Sequence, residues 1–155
     1  MTPKTLVPNE YKAHPGLWLN VHVPGREFRY SRRVQFAETD LVGVVHFSWY
    51  FRYMEEAEHA MWREAGLSVV PEHADVRFPR VSASIDFRAP LRFEDVFEVH
   101  VHIESMTQRS IRYAHTITRD GTVVATGSMT AVSVTGGPDM RAVDIPAEIV
   151  RKLSS

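Results

Sequence analysis

One long helical pattern stands among strand-like runs in this chain, and that imbalance limits how its apolar residues can be buried. Over residues 47–65 good helix formers accumulate (Met54, Glu55, Glu56, Ala57, Glu58, Ala60, Met61, Glu64), and Gly66 follows where a helix C-terminus would want it. Phe47, Tyr50, Phe51, Met54, Ala57, Glu58 and Met61 recur at steps of three and four, while Trp49, Tyr53 and Ala60 widen the apolar arc. Such a helix is expected to be buried over much of its circumference. The other strong patterns have period two. Between residues 27 and 36, Phe28, Tyr30, Val34 and Phe36 share one parity, with arginines on the other. Val81, Ala83, Ile85 and Phe87 alternate, as do Phe97, Val99, Val101 and Ile103, and then Ile111, Tyr113, His115 and Ile117. Asp120-Gly121 signals a hairpin into a strand over about 122–134, Gly136-Gly137-Pro138 ends it, and 146–153 suits a short terminal helix with Pro146 in its first turn. The order is strand, long helix, then four strands in meander. It predicts an α+β domain with one long helix against a predominantly antiparallel sheet.

At 155 residues the chain is long enough to bury about two thirds of the surface its unfolded form would expose. The domain is expected over 26–155. Residues 1–25 hold Pro3, Pro8, Pro15, Pro24, Gly16 and Gly25 and read as an N-terminal extension. Its Leu17-Trp18-Leu19 and Val21-His22-Val23 are apolar enough to dock on the domain or on a neighbouring subunit. A formal net charge of −1 and a pI near 6.7 argue against a protein that coats nucleic acid or anionic membrane. No apolar run approaches the ~20 residues of a membrane span, and the start, Met1-Thr2-Pro3-Lys4-Thr5, lacks the plan of a secretion signal. A cytoplasmic protein with no stable membrane insertion is the expectation. With no cysteine, chemistry must come from carboxylates, histidines, hydroxyls or backbone.

The segment Phe36-Ala37-Glu38-Thr39-Asp40-Leu41-Val42-Gly43-Val44-Val45-His46-Phe47-Ser48-Trp49-Tyr50 joins the first strand to the helix and sets Asp40 beside the helix start. A helix start presents unpaired N–H groups and partial positive charge, so it can polarise a carbonyl that develops negative charge. Taken alone, Asp40 also reads as a turn-former or capping acid. His46 reads equally as a group that orients substrate or Asp40 and as a cap at the helix entrance.

Asp40-x-x-Gly43-x-Val45-His46-x-x-x-Tyr50 with the helix behind it, and Asp86-Phe87-x-x-Pro90 leading through Asp95 into the long strand, resemble hot-dog-fold acyl-CoA thioesterases of the 4-hydroxybenzoyl-CoA thioesterase type. The resemblance covers about residues 27–135. It implies an antiparallel sheet of about five strands wrapped around the central helix. It also implies a homodimer or homotetramer that binds an acyl-CoA thioester between subunits and hydrolyses it to a carboxylic acid and coenzyme A. Coenzyme A is then part of the substrate, and no separate cofactor is expected. By the same resemblance Asp40 attacks the carbonyl or acts as base toward water, the Phe47 backbone N–H polarises the carbonyl, and Gly43 makes the turn that brings Asp40 close.

Other residues stand further from the motif. Phe47, Trp49, Tyr50, Phe51 and the 71–79 loop could line an acyl pocket, aromatic or fatty. Arg88, Arg92, Arg109 and Arg112 lie near strand ends where coenzyme A phosphates could meet guanidinium forks, and Arg109 with Ser110 resembles a turn that contacts coenzyme A in related proteins. Exposed strand arginines also serve solubility alone. Glu55, Glu56, Glu58 and His59 are reserve carboxylate-bearing candidates, against the simpler reading of a solvated or subunit-facing helix edge. His100-x-His102 has a spacing compatible with zinc, but no third ligand is evident and no metal is expected. A hot-dog hydratase fits less well: its aspartate and histidine usually stand five apart in an Asn-Pro setting, whereas Asp40 and His46 stand six apart. The alternatives from other classes are a non-catalytic acyl-CoA sensor or carrier and a purely structural oligomer, since fold alone does not imply activity.

Overall fold

The computed structural model describes residues 25–72 and 75–155, so all of the expected extension except Gly25 lies outside the described residues. In chain order the elements are β1 (Glu27–Arg33), a 3-10 turn (Phe36–Glu38), α1 (Phe47–Glu64), β2 (Val76–Arg77), β3 (Arg80–Phe87), β4 (Val96–Met106), β5 (Ser110–Arg119), β6 (Thr122–Val132), β7 (Val134–Thr135) and α2 (Ala147–Leu153). Five strands form one antiparallel sheet in the order β1-β4-β5-β6-β3, and β2 pairs with β7 apart from it. The predicted α+β architecture, one long helix against an antiparallel sheet, is what the chain adopts.

Periodicity explains the packing. Met54, Ala57 and Met61 of α1 are fully buried beside Tyr53 and Trp62, and the inward rows of β4 (Phe97, Val99, Val101, Ile103) and β5 (Ile111, Tyr113, Ile117) close over them. One inward row runs Phe28, Val101, His115, Gly127, Ile85 across the sheet. A Cβ at Gly127 would stand 2.8 Å from the Ser84 carbonyl oxygen and 2.9 Å from Met54 Cε, so helix and sheet come together there only because that side chain is missing. Asp120 and Gly121, at φ +49° and +77°, turn β5 into β6 as the dipeptide predicts.

Four details depart from the pattern reading. Arg32 shares the inward parity of Phe28 and Tyr30 instead of facing out with Arg29 and Arg33, because carboxylates inside await it. The strand expected over 122–134 breaks at Ser133, whose N–H turns to the Arg109 carbonyl at 2.7 Å. Phe47 does not join the buried helical stripe: it is 62% exposed, because the first turn of α1 meets loops rather than strands. Finally, β3 alternates in sequence but buries little, with Val81 and Phe87 exposed, since only β6 flanks it among the described residues. Among the described residues no helix is long and apolar enough to cross a membrane.

Candidate active site

The loop between β1 and α1 folds back on itself. Thr39 and Val45 face each other in an isolated antiparallel bridge, the Asp40 N–H donates to the Val44 carbonyl at 2.8 Å, and the Gly43 N–H closes a tight turn on the Asp40 carbonyl at 3.0 Å. Gly43 sits at φ +85°, a conformation that a side chain would oppose. Asp40 occupies the first position of this turn, and its Oδ1 accepts from the Val42 N–H at 2.9 Å and the Val44 N–H at 3.4 Å. Its Oδ2 has no partner among the described residues. The turn-forming and the functional readings of Asp40 therefore use different oxygens of one carboxylate.

The helix start follows directly. His46 is the N-cap, its Nδ1 accepting from the Ser48 N–H at 3.3 Å and meeting Ser48 Oγ at 2.8 Å, which is the capping role weighed for it. The Phe47 N–H has no acceptor among the described residues, and the first turn of α1 carries no acidic residue to neutralise its positive end. Two ties fix where this end points: the Val45 N–H donates to the Leu91 carbonyl at 2.8 Å, and the Leu91 N–H donates to the Tyr50 hydroxyl at 3.3 Å. Burial raises the Tyr50 phenol above its usual range, so it stays a neutral hydroxyl. Leu41, Val42 and Phe47 leave apolar surface in the open around the carboxylate, while Phe87 stacks edge-on to Tyr50 with ring centroids 5.0 Å apart.

Sheet register decides which other expected residues can join this group. Gly43, His46, Phe47, Tyr50 and Arg88 all belong to the end of the sheet where β1 and β3 finish. Arg109 and Ser110 belong to the β4–β5 turn at the other end, one strand length away, about 30 Å along β5. There Arg109 is paired with Asp144 at 2.9 Å, and its hydrogen bond holds the Asp144 carboxyl below the usual range. Within one chain these two residues do not meet Asp40. Arg112, likewise, is paired with Glu104. His100 lies 2.8 Å from Glu27, and no group of three or more possible metal ligands converges among the described residues.

Two clusters escaped the pattern reading. In the first, Glu38, 2% exposed, accepts hydrogen bonds from Arg32, from the Tyr53 hydroxyl and from the Gln35 N–H. In the second, Glu58 is not on a solvated or subunit-facing edge: it is 1% exposed, 2.8 Å from His115 Nε2 and against the Arg80 guanidinium. Its helix and strand positions were the available signal, because Glu58 and His115 both fall at inward-facing steps of otherwise apolar patterns. A cavity of about 320 Å³ opens above this second cluster, bounded by Glu55, His59, Trp62, Phe78, Arg80 and Tyr113. It lies two to four helical turns along α1 from Phe47 and does not include Asp40.

Comparison with known proteins places this fold. The family described as the thioesterase-like superfamily matches residues 34–153. A putative esterase of Aquifex aeolicus is 33% identical over 136 residues, spanning 81% of this chain and 97% of its own length. The 4-hydroxybenzoyl-CoA thioesterase of a Pseudomonas strain is 23% identical over 139 residues, with 83% and 99% covered. The solved structure of a 1,4-dihydroxy-2-naphthoyl-CoA thioesterase from Synechocystis superposes with a TM-score of 0.76 at 25% identity, covering 83% of this chain and 96% of that one. Because the family match takes in α1 and every strand after it, and relatives of nearly the same length share the architecture, the chain belongs to the thioesterase-like superfamily and has its hot-dog fold.

Proposed function

We propose that this chain is an acyl-CoA thioesterase, hydrolysing a thioester to a carboxylic acid and coenzyme A. One observation carries the site assignment: Asp40, with one oxygen anchored and the other open among the described residues, stands in the loop that leads into a helix start whose Phe47 amide no described residue claims. Thioester hydrolysis needs a nucleophile or base and a donor for the oxygen that becomes negative at the tetrahedral stage. Asp40 supplies the first, either attacking the carbonyl to give an anhydride that water then opens, or taking a proton from attacking water. The Phe47 N–H supplies the second, and loss of such a donor costs about 3 kcal/mol in comparable acyl-transfer sites. The sulfur leaves as the coenzyme A thiolate and takes up a proton. Coenzyme A is thus part of the substrate, and the route calls on water and the chain's own groups.

A second copy completes the arrangement in this reading. The edge of β3 that no described strand pairs, with Val81 and Phe87 exposed, suits antiparallel pairing with β3 of another chain. Such pairing reverses the sheet, so the Arg109–Ser110 end of one copy lies on the same side as Asp40 of the other. This supports a homodimer, alone or within a tetramer, with acyl-CoA between subunits.

The test is thiol release from a panel of hydroxy-aromatic and short to long aliphatic acyl-CoAs. Wild-type protein is expected to turn over at least one class, and Asp40→Asn to lower kcat by about 10²–10⁴-fold while remaining folded. Tight binding without thiol release from either protein would favour a sensor or carrier instead. A single turnover in ¹⁸O water bears on the two roles of Asp40. Unlabelled product acid with the label in the Asp40 carboxylate marks nucleophilic attack and opening of the anhydride at the Asp40 carbon. Labelled acid fits direct attack by water or opening at the acyl carbon, which trapping of the anhydride with hydroxylamine then separates.

A further inference from the structure

We infer that Glu38 is a positioning residue for the reaction at Asp40, holding the carboxylate and the Phe47 amide in one fixed relation; this rests on the thioesterase reading above. Glu38 lies two residues before Asp40, yet points the opposite way, into the protein. Its side chain binds three separate pieces of structure. Arg32 on β1 donates to both carboxylate oxygens, Tyr53 on α1 donates to Oε2, and the Gln35 N–H donates to Oε1 at 3.2 Å. Its backbone carbonyl accepts the His46 N–H at 2.9 Å, and His46 is the N-cap of α1. One residue therefore grips the strand before the loop, the helix after it, and the cap that precedes Phe47.

The consequence for Asp40 is geometric. The loop from Thr39 to Val45 is closed by its own bridge and turn, and besides the Val45 N–H bond to the Leu91 carbonyl it is anchored where both of its ends meet Glu38. The Asp40 carboxylate rides on that loop, whereas the Phe47 amide rides on α1, and Glu38 joins the two. Arg32 reinforces the joint: it stacks over the Tyr53 ring at 4.7 Å and pairs with Glu56 at 2.8 Å, which also accepts from the Tyr30 hydroxyl at 3.2 Å. A buried carboxylate with this many donors is costly to leave half-satisfied, and a fully paired one confers rigidity. An error of about 1 Å between reacting groups can cost 10²-fold in rate.

Glu38→Gln keeps the side-chain shape but turns an amide NH2 toward Arg32 and Tyr53. Measured below the onset of melting, it is expected to lower kcat by about 100-fold while KM for acyl-CoA stays within roughly threefold. The decisive reading is the combination with Asp40→Asn. If Glu38 works by placing Asp40, the double variant turns over no more slowly than Asp40→Asn alone. A mere weakening of the fold would instead lower the double variant further. Should Glu38→Gln fail to fold, Tyr53→Phe, which removes only the hydroxyl, is carried through the same cycle, with a kcat loss of about tenfold expected. The inference is overturned if the folded variant keeps the wild-type kcat, or if its loss multiplies in full with that of Asp40→Asn. The two assignments fail separately. An inactive Asp40→Asn beside a fully active Glu38→Gln removes only the role of Glu38, and wild-type turnover by Asp40→Asn removes the assignment of Asp40 itself.

Discussion

Two carboxylates, one in the loop before α1 and one in its second half, are treated oppositely. At the start, Asp40 stands in an open loop, satisfied by amides of its own turn through one oxygen and unpartnered among the described residues at the other. Eleven residues beyond Phe47, Glu58 is sealed under the helix and claimed by His115 and Arg80. The contrast shows why burial and charge alone are a poor guide to chemistry. A buried acid with committed partners is part of the architecture, and removing one partner exposes the others to a large penalty. In the proposed site, an acid beside unpaired backbone donors keeps a free lone pair and a field to work in.

Substitutions can break that comparison. The largest expected effect on activity is that of Asp40→Asn, whose loss of about 10²–10⁴-fold in kcat should come with a urea midpoint close to that of wild type. Glu58→Ala should do the reverse in kind, lowering unfolding stability by about 3 kcal/mol because it strands His115 in the interior and takes from the partly exposed Arg80 its nearer carboxylate, leaving Glu55 at 3.9 Å; urea titration checks it. An unchanged midpoint would mean that the cluster can solvate itself.

Alkaline pH gives a graded version of the same test at the closed end. Burial, with Glu58 beside it, pushes the Tyr113 phenol well above its ordinary range, against a hydrogen bond from the Trp62 N–H at 3.0 Å that pulls the other way. A phenol raised in the folded state contributes stability that is fully present below its unfolded value near 10. That stability is lost as pH rises past this point, by up to about 1.4 kcal/mol per pH unit for one group. Urea midpoints at successive pH values above 10 should fall, and Tyr113→Phe should flatten the fall. The smallest effect belongs to the open end: His46→Ala removes the N-cap and should cost about 0.5–2 kcal/mol, visible as a lower melting temperature. A loss nearer that of Glu58→Ala would show that the entrance to α1 is as tightly built as its far half.

Much of the fold was legible because it depends on short-range rules. Steps of three and four located α1, alternation located the inward rows of β4 and β5, and Asp120-Gly121 located their successor's hairpin. The place of Asp40 in the loop that leads into α1 was legible because strand, loop and helix start are contiguous in the chain; its pairing with the Phe47 amide belongs to the proposed function. Arg32 was misread since a charged residue on an inward parity makes sense only once Glu38 and Glu56 stand opposite it. Glu38 drew no reading from the sequence, for nothing local says that its side chain meets Tyr53, fifteen residues on. The separation of Arg109 and Ser110 from Asp40 required the register of five strands.

By itself, then, the sequence determined the main elements, an α+β class and the placing of a carboxylate in the loop before a helix start, because periodicity, turn chemistry and adjacency act over a few residues; the hot-dog assignment came from the resemblance to a known family. Tertiary structure alone decided which charges are spent on the interior and which remain free. Burial and pairing are properties of what lies across the sheet, and residues as distant as Glu58 and His115 learn their roles only when the chain closes.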